Sequence, residues 1–394
     1  MTYPYSRSTY SDIAGGNTSV HSLIGDEQFL QAIVEFERAL ATAAHECGYL
    51  NDEESAAALA ALDAYELDVE EISELSAAGA NPAIPIAKQL KALAGEEGTK
   101  GIHPGATSQD AIDTALVLVL KRGAAQLIDG CVHIMRMLAD LSTLHADTPA
   151  VGRTLGQAAQ PMTFGLITAN WLEVLHDACL ELQRACDELP VQYGGATGTL
   201  AATHPHGLEI HDRLAAILEL ESRPRVWHTN RVPFARLASS LAIVAGAIRK
   251  IAGDIVFMSA SEVGELREAT PGGSSSMPHK ANPAAAIAAD GYARRAPGLA
   301  NTMLESMDSR LQRGVGSWHA EWASLRDLVA VTASAQSRLC ASLNGIGVNV
   351  EAMESNLIDT GTIGHSQELI HDILMRAELV NRPHQEDGCS FCTS

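Results

Sequence analysis

The sequence predicts an all-α fold of long, closely packed helices. Hydrophobic residues make up 46% of the 394 residues but aromatic residues only 4%, so alanine, leucine, isoleucine and valine supply most of the apolar surface. Apolar residues recur at helical spacing over several long stretches, and no alternating strand pattern exceeds a few residues. The length predicts two or three domains, and we place the divisions so that residues 1–101, 102–345 and 346–394 are separate units, with the long helices in the second.

The first domain opens with an irregular segment over residues 1–25 and continues as helices. Apolar residues at helical spacing predict an amphipathic helix over residues 27–47. A run of acids that begins at Asp52 suits the N-terminus of the next helix. A turn at residues 81–82 leads to a short helix, and the glycines of residues 95–101 predict the loop that closes the domain.

Five long helical patterns fill the second domain. They start near residues 110, 162, 232, 284 and 318, and the last four are expected to end near residues 189, 268, 313 and 345. At 1.5 Å per residue, the pattern over residues 232–268 would form a rod of roughly 50 Å. The Gly-rich residues 191–206 are not expected to be one helix, and residues 349–379 predict two short helices in the third domain.

The charge of the chain limits its partners. Lysine plus arginine number 27 and aspartate plus glutamate 48, and the resulting net charge of -21 repels nucleic acid and anionic membranes. A site for an anionic substrate must therefore be built locally from cations and backbone N–H groups. No apolar run reaches the ~18 residues of a membrane span, and the polar first residues lack the apolar core of a signal peptide. We therefore expect a cytoplasmic protein.

Most of the seven cysteines lie scattered in helical patterns, which favours buried free thiols in a reducing cytoplasm. Cys389 and Cys392 form a C-x-x-C pair near the C-terminus. One such pair without a second is weak evidence for zinc, and we favour an untethered tail over a metal or redox site. No metal and no cofactor are expected.

The most specific pattern is PGGSSSMPHKANP at residues 271–283, between two long helical patterns. Its glycines provide a hinge, and successive N–H groups of a Gly-Ser loop can form an anion-binding nest. A serine there becomes a useful base only if its proton is lost easily, which the N–H groups and Lys280 would favour. A plain flexible linker is the alternative. The fixed order of methionine, proline, Lys280 and Asn282 favours the functional interpretation.

Two further segments carry groups that suit carboxylates. Thr107 or Ser108 can cap the helix that starts in HPGATSQD, and the free N–H groups of a helix N-terminus attract a carboxylate. Capping and binding are compatible, so we assign both roles. In GRTLGQ, Arg153 could clamp a carboxylate with two parallel hydrogen bonds, and Gln157 could orient it.

The segment GSSSMPHKANP resembles the signature loop of the fumarase/aspartase superfamily, Gly-Ser-Ser-x-Met-Pro-x-Lys-x-Asn-Pro, a pattern far more specific than a lone Gly-rich motif. Further marks are HPGATSQDAIDT, GRTLGQ, QYGGATGTLAA, WHTNR and WHAEW, and the resemblance covers residues 27–370. In detail these segments are most similar to the lactonising branch, the 3-carboxy-cis,cis-muconate cycloisomerases. They are less similar to fumarase, argininosuccinate lyase or adenylosuccinate lyase.

The resemblance implies an all-α fold of three domains, with a central bundle of five long helices. Four such subunits would form a homotetramer in which each active site draws residues from three subunits. In this chain the contributing segments would be residues 103–110, 153–157 and 274–282. The substrate would be a small di- or tricarboxylate, and the shorter chain implies a shortened C-terminal domain.

The resemblance also implies roles for single residues. Ser274 would be the general base that removes a proton α to a carboxylate, and Lys280 and Asn282 would hold that carboxylate as its charge grows. The implied binding residues are Thr107, Ser108, Gln109, Arg153, Thr154, Gln157, Arg231, Ser275 and Met277. His103 matches a histidine that serves substrate binding or acid chemistry, and a purely structural histidine bonded to backbone is the alternative.

One departure from the superfamily pattern bears on the reaction. Fumarase and adenylosuccinate lyase carry a histidine after Arg-Thr, where this chain has Leu155. Leucine cannot protonate a strongly basic leaving group. The leaving or attacking group should then be a weak base, such as a carboxylate in lactone formation or nitrite in nitrosuccinate elimination.

Three functions therefore stay open. The first is a cycloisomerase that adds a substrate carboxylate across a carbon–carbon double bond. The second is a lyase that releases fumarate from a succinyl compound with a good leaving group, for which nitrosuccinate fits better than adenylosuccinate. The third is a non-catalytic structural relative, against which the intact set of Ser274, Lys280 and Asn282 argues.

Overall fold

The computed structural model describes residue 16, residues 18–358 and residues 361–377. Within these residues the protein consists of helices and two small two-stranded sheets, so the all-α prediction is confirmed. The predicted C-terminal tail with Cys389 and Cys392 lies outside the described residues. The three-domain division stays a prediction.

The first helices pack as a layer against the N-terminal half of the long bundle. They are α1 (Thr18–Leu23), α2 (Asp26–Glu46), α3 (Asp52–Ala64), α4 (Val69–Gly79) and α5 (Ala83–Gly98). The start of α3 is fixed by a capping box, in which Asn51 Oδ1 accepts from the Glu54 N–H at 2.8 Å and the Glu54 carboxylate accepts from the Asn51 N–H at 3.0 Å. The loop predicted at residues 95–101 is instead a kink at Gly95 (φ 64°) followed by a short 3₁₀ turn.

The long helices follow. They are α6 (Ser108–Leu144), α7 (Phe164–Asp187), α9 (Val232–Met258), the pair α10 (Ala284–Ala293) and α11 (Ala296–Glu305), and α12 (Ser317–Leu343); the short α8 (Gly207–Ile217) precedes α9. Helix α12 lies at the centre, because every residue from 328 to 337 is buried. Its close approach to α6 depends on Gly130, where a Cβ would lie 2.6 Å from the Gln336 amide.

Two predicted helix ends were wrong. Helix α9 ends at Met258 rather than near residue 268, because a serine- and glycine-containing segment follows in which Gly264 has a left-handed backbone (φ 63°). The helix predicted over residues 284–313 is broken between α10 and α11, where Pro297 has no backbone N–H to donate in the first turn of α11. The second part, α11, ends at Glu305 rather than near residue 313.

The sequence patterns also missed a β-hairpin. Strands β1 (Pro149–Thr154) and β2 (Gln157–Thr163) pair antiparallel between α6 and α7. Leu155 (φ 53°) and Gly156 (φ 77°) form the two-residue turn with left-handed backbone at both positions. A second antiparallel pair, β3 (Leu266–Arg267) with β4 (Gly347–Val348), joins the segment after α9 to the segment after α12. The last described helices, α13 (Val350–Ser355) and α14 (Ser366–Ala377), follow β4.

The directions of the long helices decide where functional groups can lie. The N-terminal ends of α6, α9 and α12 lie together, because Arg231 before α9 pairs with Asp113 of α6 and Glu321 of α12. We call this end of the bundle the ion-pair end. The opposite end, where α9 stops at Met258, carries the hairpin and residues 272–282, and we call it the loop end. With 37 residues, α6 spans about 55 Å at 1.5 Å per residue. None of the described helices combines the length and apolarity needed to cross a membrane.

Candidate active site

The segment of residues 272–282 is a closed loop at the loop end of the bundle. Gly272 and Asn282 exchange backbone hydrogen bonds of 2.8 and 2.9 Å, and the Asn282 amide donates to the carbonyls of Gly272 and Gly273 at 3.2 and 3.3 Å. A Cβ on Gly272 would lie 2.6 Å from the Ala284 Cβ, so the closure requires glycine. Asn282 therefore shapes the loop base in this conformation.

The Ser274 hydroxyl oxygen faces backbone donors of its own loop. It accepts from the N–H groups of Met277 at 3.2 Å and Ser276 at 3.4 Å. Donors aimed at an oxygen stabilise its anionic form and ease loss of its proton. Ser275 and Lys280 are exposed, as is Met277 at 42%, and no described residue bonds the Lys280 ammonium. The loop thus holds the Ser274 oxygen against two backbone donors and leaves the Lys280 ammonium without a partner among the described residues.

The N-terminal turn of α6 lies at the ion-pair end. Thr107 is the N-cap residue of this helix, and its N–H donates to Asp110 Oδ2 at 2.9 Å. Asp110 is fully buried and also accepts from the N–H groups of Gly194 (3.0 Å) and Gly195 (2.9 Å). Thr107 and Ser108 remain half-buried, so the free N–H groups of this turn are reachable.

Beside this turn lies a cation that the sequence analysis missed. Arg313 donates to the carbonyls of Gly195 (3.1 Å) and Ala196 (3.0 Å) and to Gln109 Oε1 (3.3 Å). Among the described residues it has no carboxylate partner, unlike most arginines here. Gln109 is 1% exposed and holds Arg313 rather than facing solvent. Arg313 and the nearby helix N-terminus form a corner whose positive groups have the chemistry to attract a carboxylate.

Arg231, predicted to bind substrate, is instead enclosed. It is 1% exposed and pairs with Asp113 (2.8 Å) and Glu321 (2.5 Å), while Trp318 Nε1 donates to Asp113 at 2.9 Å. Burial opposes its charge, but the two carboxylates outweigh it and raise the pKa of Arg231. Burial, together with the charge of Asp113, raises the pKa of Glu321 despite the hydrogen bond from Arg231. This geometry favours a structural role for Arg231.

Arg153 also has an internal partner. Its guanidinium makes a two-pronged ion pair with the buried Glu265 at 2.5 and 2.9 Å, and it lies over the Phe257 ring at 5.4 Å. A cavity of about 420 Å³ lies beside it, lined in part by Lys250 and Phe257. Arg153 therefore fixes the hairpin to the end of α9. It could clamp a substrate carboxylate only if that carboxylate replaced Glu265 as its partner.

The hairpin tip points away from the rest of the chain. Thr154, Gly156 and Gln157 are exposed, and Leu155 is 101% exposed. The residues at this tip are thus exposed to solvent in the single chain.

His103 makes a short contact with a buried acid. Its Nδ1 lies 2.5 Å from Glu37 Oε1, and its backbone N–H donates to Glu37 Oε2 at 2.8 Å. Burial alone would lower the pKa of His103, but the charge and hydrogen bond of Glu37 raise it. The folding stability that this pair adds is therefore present below the ordinary histidine pKa and is lost as pH rises through the raised one.

The predicted site residues fall into two groups at opposite ends of the bundle. The first group, at the ion-pair end, is His103, Thr107, Ser108, Gln109 and Arg231. The second group, at the loop end, is Arg153, Thr154, Gln157, Ser274, Ser275, Met277, Lys280 and Asn282. Helix α9 alone separates the two ends by about 40 Å at 1.5 Å per residue. One chain therefore does not bring its own segments together.

Comparisons with known proteins identify the family to which this chain belongs. A family model described as "Lyase" matches residues 7–298. A 3-carboxy-cis,cis-muconate cycloisomerase of Pseudomonas aeruginosa is 38% identical over 345 residues, or 86% of this chain and 75% of that protein. A nitrosuccinate lyase of Streptomyces davaonensis is 35% identical over 361 residues, or 87% and 76%. The crystal structure of the 3-carboxy-cis,cis-muconate lactonizing enzyme of Pseudomonas putida superposes with a TM-score of 0.84 at 32% identity, covering 95% of this chain and 89% of that one.

The role of Arg231 gives the first testable prediction. Arg231→Met leaves two buried carboxylates without their cation, and it should destabilise the protein by about 3–5 kcal/mol. Arg38→Met, which removes an exposed pair with Asp63, should cost at most about 1 kcal/mol. Urea denaturation followed by circular dichroism at one protein concentration measures both. An Arg231→Met protein that unfolds at the wild-type urea concentration but binds substrate poorly would restore the binding role.

Proposed function

This chain belongs to the lyase family of the fumarase/aspartase superfamily, and from that premise we propose that it catalyses proton transfer α to a carboxylate, coupled to addition or elimination of a weakly basic group. The favoured reaction is that of a 3-carboxy-cis,cis-muconate cycloisomerase, in which a substrate carboxylate adds across a carbon–carbon double bond to form a lactone. The substrate is a small di- or tricarboxylate.

The observation that carries the proposal is the environment of the Ser274 oxygen. Two backbone N–H groups donate to it. The Lys280 ammonium on the same loop is exposed and bonds none of the residues that the structure describes. In the elimination direction the Ser274 oxygen takes the α-proton and the electron pair moves onto the substrate carboxylate. That pair then returns to form the carbon–carbon double bond, and the bond from the β-carbon to the leaving group breaks. In the lactonising direction a carboxylate oxygen bonds to the β-carbon and the Ser274 hydroxyl returns the proton to the α-carbon. Lys280 stabilises the doubly charged intermediate in both directions.

A second carboxylate of the substrate fits the ion-pair end. The first turn of α6 offers N–H groups beside Thr107 and Ser108. Arg313 adds a cation whose partners among the described residues are all neutral. In a chain with a net charge of -21, such local positive sites are what attracts a polyanion. Arg313 thus extends the set of predicted binding residues.

The residue at the hairpin tip favours a reaction in which the leaving group is a weak base. Leu155 occupies the place of the superfamily histidine and donates no proton. A carboxylate leaves without protonation, which favours the cycloisomerase reaction. Nitrite also leaves without protonation, and the similarity to a nitrosuccinate lyase makes this the second candidate. Release of a purine amine, as in adenylosuccinate cleavage, is less favoured unless His103 supplies the proton.

We further propose a homotetramer with active sites shared between subunits. The two groups of site residues lie about 40 Å apart along α9, so a complete site requires the loop end of one copy to meet the ion-pair end of another. Apolar side chains line the outward faces of the long helices and offer the contact surface. They are Val174, Val232, Ile243, Phe257, Ile287 and Leu304. The free cysteines in the bundle fit a cytoplasmic location.

The role of Ser274 is tested by Ser274→Ala. Because a general base acts mainly in the transition state, turnover should fall about a hundred- to ten-thousand-fold while substrate binding is largely kept. Ser276→Ala is the matched control, since it removes a neighbouring hydroxyl but keeps the N–H that donates to Ser274. The loss of ultraviolet absorbance of 3-carboxymuconate measures turnover. Near-normal turnover of Ser274→Ala would exclude Ser274 as the base.

Assays of the wild-type protein with both substrates separate the alternative functions. Fumarate release from nitrosuccinate, with no consumption of 3-carboxymuconate, would make the lyase the correct assignment. Turnover of neither substrate by the wild-type protein would favour the non-catalytic relative.

Assembly is tested by sedimentation. The wild-type protein should sediment as a tetramer, with little folded monomer at low concentration. Ile243→Lys, which charges the outward face of α9 at a side chain 51% exposed, should weaken assembly. Ile84→Lys in α5, at 48% exposed, is the control and should leave assembly intact. A stable, active wild-type monomer would exclude shared sites.

A further inference from the structure

We propose that Glu37 is a positioning residue that keeps His103 protonated, with its Nε2–H available to a substrate carboxylate. This proposal rests on the function proposed above, because it assigns a task to the ion-pair end of the shared site. Glu37 lies on α2, outside every motif of the superfamily resemblance. Its side chain is 1% exposed, so it is one of few fully buried acids among the described residues.

The contacts of Glu37 fix the ring orientation of His103. One carboxylate oxygen bonds Nδ1 at 2.5 Å and the other bonds the backbone N–H of the same residue at 2.8 Å. An ionised carboxylate accepts hydrogen bonds and does not donate them, so Nδ1 must carry a proton. Nε2 bonds no described residue and is not sealed from solvent, so it is the nitrogen that substrate can reach.

The backbone of His103 gives independent support. Its φ of 59° is left-handed, a conformation that costs a non-glycine residue roughly 1 kcal/mol or more. The hydrogen bond from its N–H to Glu37 helps to hold this conformation. Such outliers persist where the surroundings fix them and are frequent at functional sites. The turn that contains His103 ends at Thr107, so the ring stands beside the first turn of α6.

The charges around the ring favour the imidazolium. Glu37 on α2 and Asp110 on α6 both raise the pKa of His103, whereas Lys91 on α5 and burial lower it. A buried carboxylate without a cationic partner is costly, and this favours the imidazolium form of the His103 ring that Glu37 contacts. The imidazolium then adds a second cation to the corner formed by Arg313 and the α6 N-terminus. A substrate with two or three carboxylates needs more than one such cation.

The test follows each histidine by the pH dependence of Cε1 hydrogen–deuterium exchange, read by mass spectrometry in the intact protein. In the wild-type protein, the exchange midpoint of His103 should lie above the value of about 6.5 of a free histidine. In Glu37→Gln it should fall by about 1–2 pH units. Asp52→Asn, which removes an exposed partner of His45 in the same part of the chain, should leave the His103 midpoint unchanged.

Kinetics supply the second readout. At pH values between the two exchange midpoints, KM of Glu37→Gln should exceed that of the wild-type protein about ten- to a hundred-fold with a smaller change in kcat, because one charged hydrogen bond to substrate is lost. The pH at which KM begins to rise should shift down with the exchange midpoint. Glu37→Asp, which keeps the charge, should restore part of both effects.

Each outcome decides one question. A wild-type His103 midpoint at or below about 6.5 would overturn the proposal without need of any variant, so a poorly folded Glu37→Gln does not leave it undecided. An unchanged midpoint in a folded Glu37→Gln would also overturn it. If the proposed reaction were wrong, no turnover would be seen with either substrate, yet the exchange midpoints would still report on the Glu37–His103 pair.

Discussion

One buried guanidinium holds the start of three long helices in register. Arg231 at the N-terminus of α9 bonds Asp113 of α6 and Glu321 of α12, and Trp318 adds a hydrogen bond to the same cluster. Charges buried this deeply are tolerated only when their partners stay in place. The cluster therefore fixes the level at which α6, α9 and α12 begin, and the length of the helices then fixes the distance to the loop end.

This geometry separates two kinds of chemistry. The ion-pair end offers helix N–H groups, Arg313 and the Glu37–His103 pair, which suit the binding of carboxylates. The loop end offers the Ser274 oxygen and the Lys280 ammonium, which suit proton transfer. Because rigid helices of about 40 Å or more lie between them, the two kinds of group can act on one substrate only when copies of the chain assemble. Assembly is then a requirement of the proposed chemistry rather than an addition to it.

The sequence was informative where the relevant residues are consecutive. The loop of residues 272–282, the cap at Thr107 and the long helices all follow from local patterns. It was uninformative where a partner is distant in the chain. Asp113 lies 118 residues from Arg231, and Glu37 lies 66 residues from His103, so neither pair leaves a local signal. The β-hairpin was missed because its short strands are only partly buried and lack strict alternation.

The central claim is that the ion-pair end of one subunit meets the loop end of another. It is tested most directly by cross-linking a Ser108→Cys, Ser274→Cys double variant with a short bifunctional maleimide, with Cys389, Cys392 and the half-buried Cys47 replaced by serine. The two positions are too far apart to be joined within one chain, so denaturing electrophoresis should show covalent dimers, and neither single variant should give them. Cross-linking confined to single chains, or no cross-linking at all in the assembled protein, would contradict the shared site.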